Sequence, residues 1–457
     1  MGLGIECSFN PEEELRPLRS RYQEGNVDVH RYCTNPPNLP DPRHQAVFVG
    51  AACCALVLFS CEKDPDAPIP TTAQYTIPSG TTALSSASEE VLEGIYTVTD
   101  GSLDLGDQVV LKFNKEGLTI DSGNGNYFCL KAGERDSEIF FQGYWRYAFA
   151  YEGGLASARI KKEEGGSDIL AGKAPGRIII RGAYGQEAGT QDQLMTLSFS
   201  RRFSDAVKNS RFMILANFGG GRNSDGFPVS QNSIEMLQFA QRFGHMGVEV
   251  DIRVSKDGVP FLYHDATIDD KACRDGPLDG PIDDYTWEEI SSSVRLIRGE
   301  KIPSLEDALS FIVDSTDMEF VWLDMKVGDN AAARVIPIQM KTLARAKELG
   351  RNLRIVFGVP TQQVMDDFTS YPGYADIPSL CEMTVDDVLE LNAAAWGPQS
   401  TRGLQVDGLK KIHDKGKIGI TWSLDDSRTI EKFLNETNFD GFLTDYPCLV
   451  AYHHYIR

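Results

Sequence analysis

Two acidic residues and a histidine lie at spacings that bring them within reach of one reaction centre. Glu249 and Asp251 fall in Gly247-Val248-Glu249-Val250-Asp251-Ile252-Arg253-Val254, an apolar run of strand length. It is followed by Ser255-Lys256-Asp257-Gly258 and then by Val259-Pro260-Phe261-Leu262-Tyr263-His264-Asp265. Side chains alternate across a strand, so Glu249 and Asp251 point to the same side. Two carboxylates on one face supply the hard oxygen donors that Mg²⁺ or Ca²⁺ prefers. A bare pair of this kind is ordinarily a solvated strand face. Here the Lys-Asp-Gly turn and the His-Asp pair that closes the next apolar run accompany it. His264 is a group that can exchange a proton near neutral pH.

The elements that must position these residues begin at residue 211. Apolar runs of strand length occur at 211–217, 248–254, 320–326, 354–359, 378–383, 394–398, 418–424 and 440–446. Helical patterns separate most of them, at 232–243, 304–314, 331–349, 361–370, 385–392, 409–416 and 427–435. Eight strands alternating with helices over roughly 245 residues is the arithmetic of an α/β fold of the TIM (β/α)8 barrel type. The acidic and histidine residues fall at the carboxyl ends of these strands, the catalytic face of such a barrel. Ahead of it, residues 90–205 change to period two, with short β-branched runs separated by Gly, Asp and Asn clusters. That pattern predicts an antiparallel β-sandwich or β-barrel domain. Tyr144, Trp145, Tyr147 and Tyr151 could line a carbohydrate or lipid face there, although core packing is the commoner use of strand aromatics.

The motifs of residues 211–457 together resemble the glycerophosphodiester phosphodiesterase family. That family carries E-x-D, T-K-D-G-x-P-V and H-D in this order. Ile302-Pro303-Ser304-Leu305-Glu306-Asp307 resembles its iPtLeE helix entry, and Leu323-Asp324-Met325-Lys326 stands where the family has E-x-K. Ile420-Thr421-Trp422-Ser423 and Asp440-Gly441-Phe442-Leu443-Thr444-Asp445-Tyr446-Pro447 are similar to its closing vWT and DGiiTDyP strands. The resemblance implies a third metal carboxylate at Asp324, a phosphate-facing Lys326, a substrate contact at Trp422 and metal-dependent hydrolysis of a glycerophosphodiester to glycerol 3-phosphate and an alcohol. It departs from the family at the opening motifs. Where the family has H-R-G the chain reads Asn217-Phe218-Gly219, and where it has E-N-T/S the chain reads Gln231-Asn232-Ser233. The resemblance implies two histidines, one taking a proton from the attacking hydroxyl and one giving a proton to the departing alcohol. Asn217 stands at the lost histidine's position and cannot exchange a proton near neutral pH. A pseudoenzyme that binds metal and phosphodiester is therefore the alternative reading. A phosphatidylinositol-specific phospholipase C, another barrel with two histidines, is a third, and Asn217 weighs on it equally.

Composition sets the limits. The 457 residues carry a net charge of −21, with no basic stripe, which argues against nucleic acid as a partner. Of the nine cysteines, Cys129, Cys273, Cys381 and Cys448 are widely spaced and read as buried free thiols. Residues 46–60, AVFVGAACCALVLFS, form an apolar run below the roughly 20 residues of a spanning helix. The run ends in Leu58-Phe59-Ser60-Cys61, which resembles a bacterial lipobox. It predicts a signal segment within 1–61, lipidation of Cys61, and a membrane-anchored protein of the bacterial envelope on its periplasmic or outer-surface side; a short buried helix is the alternative. Residues 1–42 suit neither a signal peptide nor a folded element. Residues 62–89, rich in Pro and polar residues, read as a flexible linker. Among the remaining histidines, His245 falls in a turn at the far end of the barrel, His413 on a solvent face, and His453 and His454 in the terminal helix without an evident carboxylate partner.

Overall fold

The protein is described by a computed structural model over residues 75–186 and 191–457. Residues 1–74, and with them Cys61 and the apolar run, lie outside the described residues. Among the described residues no helix is long and apolar enough to cross a membrane.

The first half is a closed antiparallel ring. After β1 (Thr82–Ala83) come β2 (Gly94–Asp100), β3 (Gln108–Asn114), β4 (Gly117–Ser122), β5 (Asn126–Arg135), β6 (Glu138–Tyr147), β7 (Gly153–Ile160), β8 (Ile179–Tyr184) and β9 (Gln193–Arg201). The strands β2 to β9 pair in sequence order, and β9 returns to β2, so no long edge is left open. The alternation noted at 90–205 follows from this closure. Tyr96, Phe128, Trp145, Tyr184 and, among others, Val109, Leu111, Ile120, Leu130, Ile180 and Leu197 point inward into one buried cluster. Asp136 and Ser137, with φ of 54° and 67°, turn β5 into β6 as a two-residue hairpin.

The second half is the (β/α)8 barrel. Its strands are β10 (Met213–Ala216), β11 (Gly247–Val254), β15 (Phe320–Met325), β16 (Arg354–Val359), β17 (Ser379–Cys381), β18 (Ala395–Trp396), β19 (Ile418–Thr421) and β20 (Gly441–Thr444). All are parallel, and β20 closes onto β10. The intervening β12 (Pro260–Leu262) runs antiparallel to β11, and β13 (Thr267–Ile268) pairs with β14 (Gly280–Pro281). Leu215, Phe320, Trp322, Val356, Leu380, Ile420 and Leu443 fill the barrel's interior. Helix starts are specified locally. The side chains of Ser233, Ser304, Thr361, Thr384 and Asp426 each accept a backbone N–H at the first turn of the helix that follows.

Three expectations need correction. Residues 75–89, assigned to a flexible linker, are bound to the ring. Tyr75 is buried against Tyr144 at 5.7 Å, β1 pairs with β5, and Ser85 caps the helix Ser86–Leu92. An aromatic with a partner outweighs a tether-like composition. His413 is not simply solvated, because its Nε2 lies 2.9 Å from Asp440 Oδ2. His453 does have a carboxylate neighbour, with Nδ1 lying 3.2 Å from Glu431 Oε1. Cys129, Cys273, Cys381 and Cys448 are all buried and free.

His454 is stacked on Phe212 at 4.6 Å, and burial together with the nearby Arg457 lowers its pKa from 6.5 to about 4. A histidine depressed in the fold binds fewer protons there than in the unfolded chain, so stability is lost as pH falls from about 6.5 towards 4. That contribution reaches at most about 3 kcal/mol. His454→Gln is expected to flatten the decline of melting temperature between pH 6.5 and 4.5, measured by circular dichroism; an unchanged slope would contradict the assignment.

Candidate active site at the barrel mouth

The site is built by strand register. Adjacent parallel strands β11 and β15 pair Asp251 directly with Asp324, and Glu249 lies two residues earlier on β11. One ligand oxygen from each of Glu249, Asp251 and Asp324 falls within 4.8 Å of the others. Lys326, two residues after Asp324, reaches back between them, with Nζ 2.8 Å from Asp251 Oδ1 and 2.5 Å from Asp324 Oδ2. The counter-charge thus comes from the segment that carries Asp324, while Glu249 and Asp251 come from the neighbouring β11.

One lysine does not neutralise two buried carboxylates and a half-buried third. Burial, and then the charges of Asp251 and Asp324, push the Glu249 carboxyl well above its ordinary range. Asp324 is raised by burial and by Asp251, against the opposing pull of Lys326. Burial would lower the Lys326 ammonium, but the surrounding carboxylates outweigh it and raise it. Glu249 Oε1 is buried without a hydrogen-bond partner, while Oε2 accepts from the Phe218 backbone N–H at 2.9 Å. Excess negative charge, hard oxygen donors and an unpartnered buried oxygen fit a divalent cation.

The first barrel turn is held to this cluster by its backbone. Phe218 adopts a left-handed conformation, with φ 55° and ψ 33°, which costs a residue with a side chain on the order of 1 kcal/mol. Two bonds maintain it: its N–H to Glu249, and its carbonyl accepting from Asn232 N at 2.9 Å. Asn232 in turn donates to Asp251 from its side chain and accepts from the Asp251 N–H. Gly220 has no room for a side chain, since a Cβ would lie 2.3 Å from that of Ala240.

His264 faces the Phe218 ring edge-on at 5.4 Å. Its Nδ1 meets Asp265 Oδ1 at 2.8 Å, and its carbonyl accepts from the buried Arg253 guanidinium. With Nδ1 engaged, Nε2 is the atom available to a substrate. A cleft of about 490 Å³ is lined by His264, Phe218, Gln231 and Arg222. Asn217 donates to Asp445 Oδ1 at 3.0 Å, and Gln231 exchanges two hydrogen bonds with Asn223 at 3.0 Å each. Trp422 is half-buried at the end of β19, its indole N–H satisfied by the Gly397 carbonyl.

Two residues were not singled out from sequence. Arg222 lines the cleft four residues beyond Phe218, and no spacing rule pointed to it. Glu382 follows β17 directly; it is buried, Oε1 has no hydrogen-bond partner, and its carboxyl is raised by burial and by Asp324. Its place at a strand's carboxyl end was a usable signal.

The glycerophosphoryl diester phosphodiesterase family model matches residues 220–449. A glycerophosphodiester phosphodiesterase of Caldanaerobacter subterraneus subsp. tengcongensis is 23% identical over 252 residues, 51% of this chain and 94% of its own. Glycerophosphodiester phosphodiesterase 1 of Bos taurus is 32% identical over 120 residues, 24% of this chain and 34% of its own. Among solved structures, an Oleispira antarctica phosphodiesterase in complex with the product sn-glycerol-3-phosphate matches with a TM-score of 0.42 and 18% identity, covering 52% of this chain and 95% of its own.

The acid cluster generates a direct expectation. A divalent cation held by these carboxylates at about 100 times its dissociation constant would stabilise the wild type by about 2.7 kcal/mol. Asp324→Asn is expected to abolish that rise in melting temperature, and metal affinity in the wild type should weaken as pH falls and the raised carboxyls are protonated. An equal metal-induced shift in the variant would remove Asp324 from the site.

Proposed function

The chain belongs to the glycerophosphoryl diester phosphodiesterase family, and from that premise we propose that it hydrolyses glycerophosphodiesters to sn-glycerol 3-phosphate and an alcohol at the mouth of its barrel. The observation that supports this most directly is the convergence of Glu249, Asp251 and Asp324 around Lys326, with His264 on the same rim. A divalent Mg²⁺ or Ca²⁺ held by the three carboxylates would supply charge for the phosphoryl oxygens. Lys326 adds a fixed positive charge beside them. His264, oriented by Asp265, moves a proton at Nε2.

Turnover in this proposal is weak. Asn217 occupies the second proton-transfer position, and its carboxamide is committed to Asp445. Losing a general acid or base costs on the order of 10²–10⁴-fold. The same commitment favours the second reading, a protein that binds metal and phosphodiester with little chemistry. Localisation follows from sequence alone. The run ending in Leu58-Phe59-Ser60-Cys61 supports a lipid anchor at Cys61 and a place on the bacterial envelope.

Glycerophosphocholine hydrolysis with Mg²⁺ or Ca²⁺ tests the proposal. Slow release of glycerol 3-phosphate is expected, lost in His264→Ala. The combination of Asn217→His, Phe218→Arg and Gln231→Glu should raise kcat/KM on the order of 10²-fold or more. A wild type already turning over at ordinary rates would sink the claim of a missing proton-transfer group. A folded triple variant that binds metal yet stays inert would favour the binding protein.

A further inference from the structure

The guanidinium in the cleft is held in place from outside the barrel. Arg222 donates from Nε and Nη2 to the Asp225 carboxylate, from Nη1 to Asp445 Oδ2 at 2.8 Å, and from Nη2 to the Tyr446 hydroxyl at 2.6 Å. Asp445 also receives Asn217, so Arg222 and the altered catalytic position share one carboxylate. Both Arg222 and Asp225 ride on a short turn, Asn223–Asp225, closed by Gly226 with φ 65°. Its own backbone bonds are few and long, 3.1 Å from Asp225 N and 3.4 Å from Gly226 N.

The turn is clamped by the β ring. Arg146, near the end of β6, is only 1% exposed. Its Nη2 donates to the Asp225 carbonyl at 2.7 Å and to the Gly226 carbonyl at 3.4 Å, and its guanidinium lies over the Phe227 ring at 4.8 Å. Burying a guanidinium costs several kcal/mol unless its donors find good acceptors. Here Nη2 finds both of its acceptors on the main chain of this one turn, while Nη1 is buried without a hydrogen-bond partner. The β6–β7 hairpin tip extends the clamp. Phe149 meets the Tyr446 ring at 4.8 Å, and a Cβ at position 226 would lie 2.3 Å from the Tyr151 ring.

We infer that Arg146 is a positioning residue for the barrel's cleft, acting from the β ring through the 222–226 turn to hold Arg222 beside Asp445 and Asn217. The ring is then part of the site's scaffold. The inference rests on the proposed function for the choice of ligand and not for the geometry.

The test is a double-mutant cycle in the full chain. KM for glycerophosphocholine and the dissociation constant of sn-glycerol 3-phosphate are measured for wild type, Arg146→Met, Arg222→Ala and the double variant. Arg146→Met should weaken both constants by roughly 10-fold with kcat changed far less, and should add almost nothing in the Arg222→Ala background. Equal losses in both backgrounds, or undiminished product affinity in Arg146→Met, would overturn it. Should Arg146→Met not fold, Phe149→Ala removes an exposed part of the clamp, and a smaller loss confined to the Arg222 background is expected. Hydrogen exchange across 222–227 reads the clamp without any ligand. Faster exchange in the Arg146 or Phe149 variant supports the inference, and unchanged exchange refutes it. A wild type that neither binds nor hydrolyses these compounds defeats the proposed function, while the exchange result still decides the clamp.

Discussion

Like charge held out of water is the constraint around which the barrel mouth is organised. Glu249 and Asp251 are 3% and 1% exposed, and register places Asp324 directly beside Asp251. Such a cluster is sustained only by compensation. Lys326 provides one share, and the Phe218 and Asn232 donors provide another. These bonds in turn fix the unusual backbone of the first barrel turn and dock the helix that Ser233 caps. Remove the carboxylates and the strained Phe218 loses the acceptor that holds it.

Much of this was legible because local rules and the global fold agree. The period-two face of β11 put Glu249 and Asp251 on one side, and the alternation of strand and helix gave the barrel. The caps at Ser233 and Ser304 sit where the sequence motifs open their helices. What was not legible depends on contacts distant in sequence. Arg222 reaches the cleft through partners at 445 and 446, and Tyr75 is buried by Tyr144 and Arg242. A linker-like composition carries no sign of such partners. Glu382 offered only the weak signal of its place at a strand's carboxyl end. A lone acid after a short apolar run is common, and only closure of the barrel turns it toward Asp324.

The side chains at positions 217, 218 and 231 form a consistent set. Asn217 is satisfied by Asp445, and Gln231 closes a two-way pair with Asn223. Burial, and then the charge of Asp425, raise the Asp445 carboxyl to about 6, and Asn217 and Arg222 draw it down. Asn217, Phe218 and Gln231 thus each have a hydrogen-bonding or packing partner, with Phe218 against His264. The site is an ordered arrangement of paired side chains.

The aromatic layer between the two sheets sets how the molecule comes apart. Tyr75, Tyr127 and Tyr144 from the ring's side meet Phe227, Phe239 and Phe243 from the barrel's side in one buried cluster. Neither half could be excised without baring that layer to water, and a barrel cut at residue 211 would carry a sticky aromatic patch. The boundary visible in the sequence is therefore a change of architecture inside one cooperative unit, not a seam along which the protein can be divided.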